Sequence, residues 1–179
     1  MADADRYGAK TVRIIQTPVP YFNSLLVSLK DACEGHYGKR LVTLAVYGSV
    51  GRGTPRPDSD LDILVVADPL PQGRIKRIRE FDFVKNAIKD VLLEGRNFGF
   101  NTVLSTVIKS PDEVRKGSPL FLDMTEDTVI LFDRERFFES EMAAFRKRLE
   151  KLGARRVWRG DVWFWDLKPD YKPGEVFEI

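Results

Sequence analysis

The stretch from Tyr47 to Val66, YGSVGRGTPRPDSDLDILVV, decides how this chain folds. Its second half, Asp60 to Ala67, is apolar on both faces after the first residues, as a buried strand is. Asp60 and Asp62 stand two apart at the start of that strand, so both side chains leave on the same face. Two carboxylates side by side repel, and a cation between them relieves the repulsion. The first half follows Leu41 to Tyr47, LVTLAVY, a second short apolar run that reads as a buried strand and ends in Gly48-Ser49. A glycine at a strand end lets backbone N–H groups approach an anion with no Cβ in the way. The Ser49 hydroxyl adds a donor, and Arg52 and Arg56 suit bidentate contact with phosphate oxygens. Gly51 to Ser59, with two glycines and two prolines, is an irregular connection. If the two strands are antiparallel neighbours, the Gly-Ser turn and the aspartates meet at one edge of the sheet.

Outward from this stretch, Phe22, Leu25, Leu26, Leu29 and Cys33 recur at helical spacing between Pro20 and His36. Thr11 to Ile15 reads as a short strand and MADADRYGAK as a polar terminus. Downstream, Ile75, Ile78, Phe81, Val84, Ile88 and Val91 predict one long amphipathic helix over Arg74 to Glu94. Asn101 to Lys109 is a third strand rich in β-branched residues. Short helices are expected after Ser110 and over Pro119 to Met124, then a strand over Thr128 to Phe132. Phe138, Met142, Phe145, Leu149 and Leu152 predict a helix over Arg134 to Leu152. The fold class expected is α/β (α+β), a mixed sheet with helices.

Composition narrows the chemistry. The chain has 179 residues, 43% hydrophobic and 31% charged, a globular composition with room for a core. Twenty-nine basic residues against 27 acidic leave a net charge of +2, so a phosphate site must be a local cluster. One cysteine and one histidine exclude an internal disulfide framework and Cys/His zinc sites. A metal here takes oxygen ligands, which points to Mg²⁺ or Mn²⁺. No apolar run reaches the roughly 20 residues that span a bilayer, and the start is no signal peptide. The expectation is a cytoplasmic protein with no membrane contact.

Gly48, Ser49, Arg52, Gly53, Ser59, Asp60 and Asp62 resemble, in type and order, the DNA polymerase β nucleotidyltransferase superfamily, and its small prokaryotic minimal branch in particular. That pattern is Gly-Ser, about ten residues, then Asp-x-Asp at a strand start. The run SPLFLDMTEDTVILFD, Ser118 to Asp133, is similar to the family's closing helix and strand, so the resemblance spans about residues 20–133. It implies transfer of a nucleoside monophosphate from a nucleoside triphosphate to a hydroxyl, dependent on Mg²⁺. Asp60 and Asp62 would be catalytic and hold the metal, while Gly48, Ser49, Arg52 and Ser59 bind the nucleotide. Small members often work beside a helical partner protein, which with RNA is a candidate acceptor. One feature departs from the pattern. The third carboxylate that the family carries on the next central strand is missing, with Ser105 or Thr106 in its place. Asp123 and Glu126 are the other carboxylates considered for that duty.

The nucleotidyltransferase domain is expected over residues 11–133, with residues 134–179 a helix and aromatic tail packed on it. Val157 to Trp163 predicts a β-hairpin turning at Gly160-Asp161. Trp158, Trp163 and Trp165, interleaved with Arg155, Arg156 and Arg159, suit either core packing or base stacking. Two other functions therefore stay open: a silent, antitoxin-like nucleotide-binding module, and an RNA-binding protein on the same fold.

Overall fold

The computed structural model describes residues 19–160 and 162–179. The strand expected at Thr11 to Ile15 and the polar terminus lie outside them. Helix α1 (Pro20–Tyr37) leads into strand β1 (Leu41–Tyr47), a single helical turn α2 (Gly48–Gly51), and strand β2 (Leu61–Ala67). Helices α3 (Arg74–Ala87) and α4 (Lys89–Asn97) precede strand β3 (Leu104–Lys109). The short helices α5 (Pro111–Arg115) and α6 (Phe121–Asp127) follow, then strand β4 (Val129–Asp133) and helix α7 (Phe137–Lys151). Strands β5 (Arg155–Arg159) and β6 (Val162–Asp166) form the predicted hairpin.

The four-stranded sheet has the order β3-β2-β1-β4. β1 runs antiparallel to both β2 and β4, and β2 runs parallel to β3, so the sheet is mixed. Alternation along the two central strands divides the core. Leu44, Val46, Leu61, Ile63 and Val65 face a cluster with α1, α3 and α4. Ala45, Leu64 and Val66 face a second cluster with Phe121, Met124, Phe138, Met142, Phe145 and Leu149 of α6 and α7. Helices thus cover both faces, which is why these strands read as continuous apolar runs.

The long helix expected over Arg74 to Glu94 is instead two helices. The chain bends at Ile88 (φ −100°, ψ 10°), while Ile88 N–H still bonds Val84 O and Leu92 N–H bonds Ile88 O, each at 3.2 Å. The bend keeps Ile88 in the core and brings Val91 and Leu92 against it. At the other end of α3, Ile75 and Ile78 are exposed and do not extend the buried stripe. The first turns of α3 flank an open cleft along the edge strand β3, lined by Arg74, Arg77, Ile78, Thr106 and Ile108.

Asp133 joins sheet to helix. Its carboxylate accepts from the Thr43 hydroxyl at 2.8 Å and from the Phe138 and Glu139 N–H groups at 3.0 Å each. A first-turn N–H has no intrahelical acceptor, so this carboxylate caps α7 from a distance. The cap fits a chain that turns through left-handed Glu135 and Arg136 before α7 begins, three residues later than the apolar pattern predicts.

Candidate active site

The sheet register brings the two halves of the motif together. Tyr47, the last residue of β1, pairs with Asp62 on β2, so the chain leaves β1 into α2 directly beside the aspartates. Gly48 has φ +67°, and a Cβ there would lie 2.2 Å from Asp62 Oδ2. Only glycine meets both demands: the left-handed backbone and the contact with the carboxylate. Gly51, at the end of α2, is equally confined, since a Cβ would lie 2.2 Å from the Asp127 carbonyl oxygen and 3.0 Å from that of Val46. This glycine, which the motif alone does not single out, lets the turn rest on the C-terminal end of α6.

Asp62 has the same parity along β2 as Leu64 and Val66, so it points to the sheet face covered by α6 and α7. Burial raises its carboxyl above the usual carboxylate range. A hydrogen bond from Ser105 opposes that shift, the charge of Asp60 adds to it, and the charge of Arg52 opposes it. Tyr47, also missed in the sequence, sits half-buried beside this group; burial, and then the Asp62 charge, push its phenol up to about 12.

Of Ser105 and Thr106, the structure brings only Ser105 to Asp62. Ser105 pairs with Asp62 across the parallel strands and hydrogen-bonds its carboxylate, whereas Thr106 pairs with Ile63 and takes the opposite parity. Ser59 closes its own loop: its Oγ accepts from Arg56 N–H at 2.9 Å. Ser49 lies half-buried in α2, and its carbonyl accepts from Thr54 N–H at 3.0 Å.

Arg52 extends from the end of α2 toward the C-terminal hairpin. Its guanidinium lies 3.4 Å from Asp127 Oδ2 and 5.0 Å from the Trp163 ring centroid. Arg156 of β5 also pairs with Asp127. One helical turn earlier, Asp123 Oδ1 accepts from the indole N–H groups of Trp163 and Trp165, both at 3.0 Å. Asp123, considered for the missing catalytic carboxylate, thus anchors the hairpin. Trp163 is half-buried and Trp165 packs against the second core cluster, while Trp158 is 55% exposed. Packing claims two of the three indoles.

Among the described residues no cluster of three or more His, Cys, Asp or Glu side chains gathers as a metal cage. The adjacent, oxygen-only pair Asp60 and Asp62 nonetheless fits Mg²⁺, which is commonly held by one or two carboxylates with substrate phosphates and water completing its shell. Burial and a second carboxylate nearby both disfavour the charged form of Asp62, and a cation would favour it.

Antiparallel register on a mixed sheet thus joins a glycine turn at the end of β1 to a carboxylate pair at the start of β2. Residues 27–102 match the family described as "Nucleotidyltransferase domain". A curated relative, "Putative protein adenylyltransferase MJ1305" of Methanocaldococcus jannaschii, is 26% identical over 133 residues, 73% of this chain and 84% of its own length. Among solved structures, a toxin-antitoxin with AMP-PNP is 16% identical with a TM-score of 0.45, covering 72% of this chain and 92% of that one. A tri-AMPylated Shewanella oneidensis HEPN toxin in complex with MNT antitoxin is 13% identical with a TM-score of 0.37, covering 75% and 91%. Among the described residues no helix is long and apolar enough to cross a membrane.

Proposed function

We propose that this protein transfers a nucleoside monophosphate, adenylate first among the candidates, from a nucleoside triphosphate to a hydroxyl group on another protein. The observation that carries this reading is the Tyr47–Asp62 register, which sets the Gly48 turn against the aspartate pair. Adenylate and a protein acceptor draw support from the name of the M. jannaschii relative. In the reaction the acceptor oxygen bonds the α-phosphorus and gives up its proton to water, the bond to the bridging oxygen breaks, and pyrophosphate leaves with the electron pair.

Asp60 and Asp62 would hold Mg²⁺ or Mn²⁺, which supplies charge neutralisation on the triphosphate and the leaving group. Gly48 and Ser49 would seat the triphosphate, Ser59 would hold the loop before the aspartates, and Arg52 would add positive charge on the side facing α6. Ser105 would favour the carboxylate form of Asp62 by donating to it, but a serine hydroxyl is no useful base at neutral pH. This favours a second reading, a nucleotide-binding module in which transfer is silent. Residues 134–179 belong, on this view, to the same folding unit as the nucleotidyltransferase domain.

The test incubates the protein with labelled ATP, Mg²⁺ and cell lysate, and follows both pyrophosphate and label. Label on protein, lost in Asp60→Asn and Asp62→Asn, is the expected result. Label on RNA alone would move the acceptor to a nucleic acid, and nucleotide binding with no pyrophosphate release would select the silent module. Ser105→Asp should raise transfer about tenfold, worth about 1.4 kcal/mol in the barrier. Robust wild-type transfer that falls in Ser105→Asp would show that the serine position is not impaired.

A further inference from the structure

The carboxylate site borders the C-terminal hairpin, and a row of arginine and tryptophan makes the border. Arg52, from the turn beside the aspartates, lies 5.0 Å from the Trp163 ring centroid. Trp163 pairs across the hairpin with Trp158, their centroids 5.0 Å apart and the rings tilted at 49°. The Arg156 guanidinium lies over both, 4.4 Å from Trp163 and 5.4 Å from Trp158. The row is fixed from beneath by α6, where Asp127 takes both arginines and Asp123 takes the indole N–H groups of Trp163 and Trp165. At its outer end Trp158 leaves more than half of its surface open. An indole recruited for packing alone is covered; this one is held in place by a neighbouring ring and a cation and presents a free aromatic surface. Such a surface stacks flat rings.

We propose that Trp158 stacks the base of the bound nucleoside triphosphate, so that the C-terminal hairpin is the base wall of the active site. This rests on the nucleotidyltransferase reading above. Two observations favour a single base over a nucleic acid strand. A groove that tracks a phosphate backbone needs cations available for phosphates. On this hairpin Arg155 pairs with Asp166, Arg156 pairs with Asp127, and Arg159 lies over Phe164. The indole N–H groups of Trp163 and Trp165 are also taken by Asp123, so those two rings have no N–H left to read a base edge. The wall selects by stacking area, and purines are preferred to pyrimidines.

Calorimetry in the presence of Mg²⁺ tests this with ATP, CTP and inorganic tripolyphosphate, on the full chain and its Trp158→Ala and Trp158→Phe variants. Trp158→Ala should weaken ATP binding about tenfold, in the range of one stacked base, and leave tripolyphosphate binding unchanged. Trp158→Phe should restore most of the loss, and the wild type should bind ATP more tightly than CTP. If Trp158→Ala binds ATP as the wild type does, and both bind tripolyphosphate, the base wall is wrong and the phosphate site stands. A wild type that binds neither ligand would overturn the nucleotidyltransferase reading, and the wall with it. Single-stranded RNA binding that is lost in Trp158→Ala while ATP binding is unchanged would give the indole to an acceptor and overturn the proposal.

Discussion

Asp62 is the residue where folding and chemistry pull apart. Its carboxyl is half-buried with a second carboxylate nearby, and burial raises its proton affinity in the folded state. A raised folded value means that the native state holds its proton more tightly than the unfolded chain does. Below the ordinary value of 3.8 both states are protonated and no stability is lost. As pH rises through that value toward the raised one, the unfolded chain ionises first and native stability falls; above both, the full penalty remains. Asp62→Asn keeps the shape and removes the charge. It should therefore raise the melting temperature at neutral pH, lose that advantage in acid, and abolish Mg²⁺-dependent nucleotide binding. A variant that is less stable than the wild type at neutral pH would show that the carboxylate is a structural asset. The nearness of Asp60 to Asp62 is legible from the sequence because they stand two residues apart where a strand begins. The choice between Ser105 and Thr106 is not, since one residue of register reverses which of them meets Asp62.

At the scale of elements, the one-turn helix α2 is confined from two sides, by Asp62 at Gly48 and by the Asp127 carbonyl at Gly51. The Gly51 contact is backbone against Cβ, which a side-chain rotation cannot relieve. Gly51→Ala should cost about 1–3 kcal/mol, as overpacking does, read as a lower urea midpoint. It should also displace α2 and weaken nucleotide binding. An alanine variant as stable as the wild type would mean that α6 yields easily. Helix α1 and strands β1 and β2 are legible in the sequence almost to the residue, because their apolar periods are unambiguous and glycine or proline closes them. The bend at Ile88 is not, because the apolar stripe runs through it without interruption and only packing on α1 and the sheet sets it. The exposure of Ile75 and Ile78 is hidden for the same reason: a periodic stripe does not say where the sheet beneath it ends.

Across the whole molecule, the second core cluster closes only when the C-terminal part is present. Phe138, Met142, Phe145 and Leu149 of α7 pack on Ala45, Leu64 and Val66, and Ala154, Trp165, Leu167 and Ile179 pack around them. A chain ending at Leu152 keeps α7 but uncovers its outer side and leaves Asp123 without its two indole donors. It should be less stable and prone to self-association, visible as a lower melting temperature and a larger hydrodynamic radius. A truncated protein that melts with the full chain would detach the tail from the core. The hairpin itself is legible from its alternating pattern. Its docking on Asp123 and Asp127 is not, since that joins residues about 30–40 positions apart by side chains that local spacing does not couple. The geometry at Trp163 also has an optical consequence. Two guanidinium groups lie within 5.0 Å of its ring centroid, and one of them, Arg52, belongs to the turn beside the aspartates. A ligand that draws Arg52 away removes a cation from the indole face and alters its emission, so the protein carries its own unlabelled reporter of site occupancy.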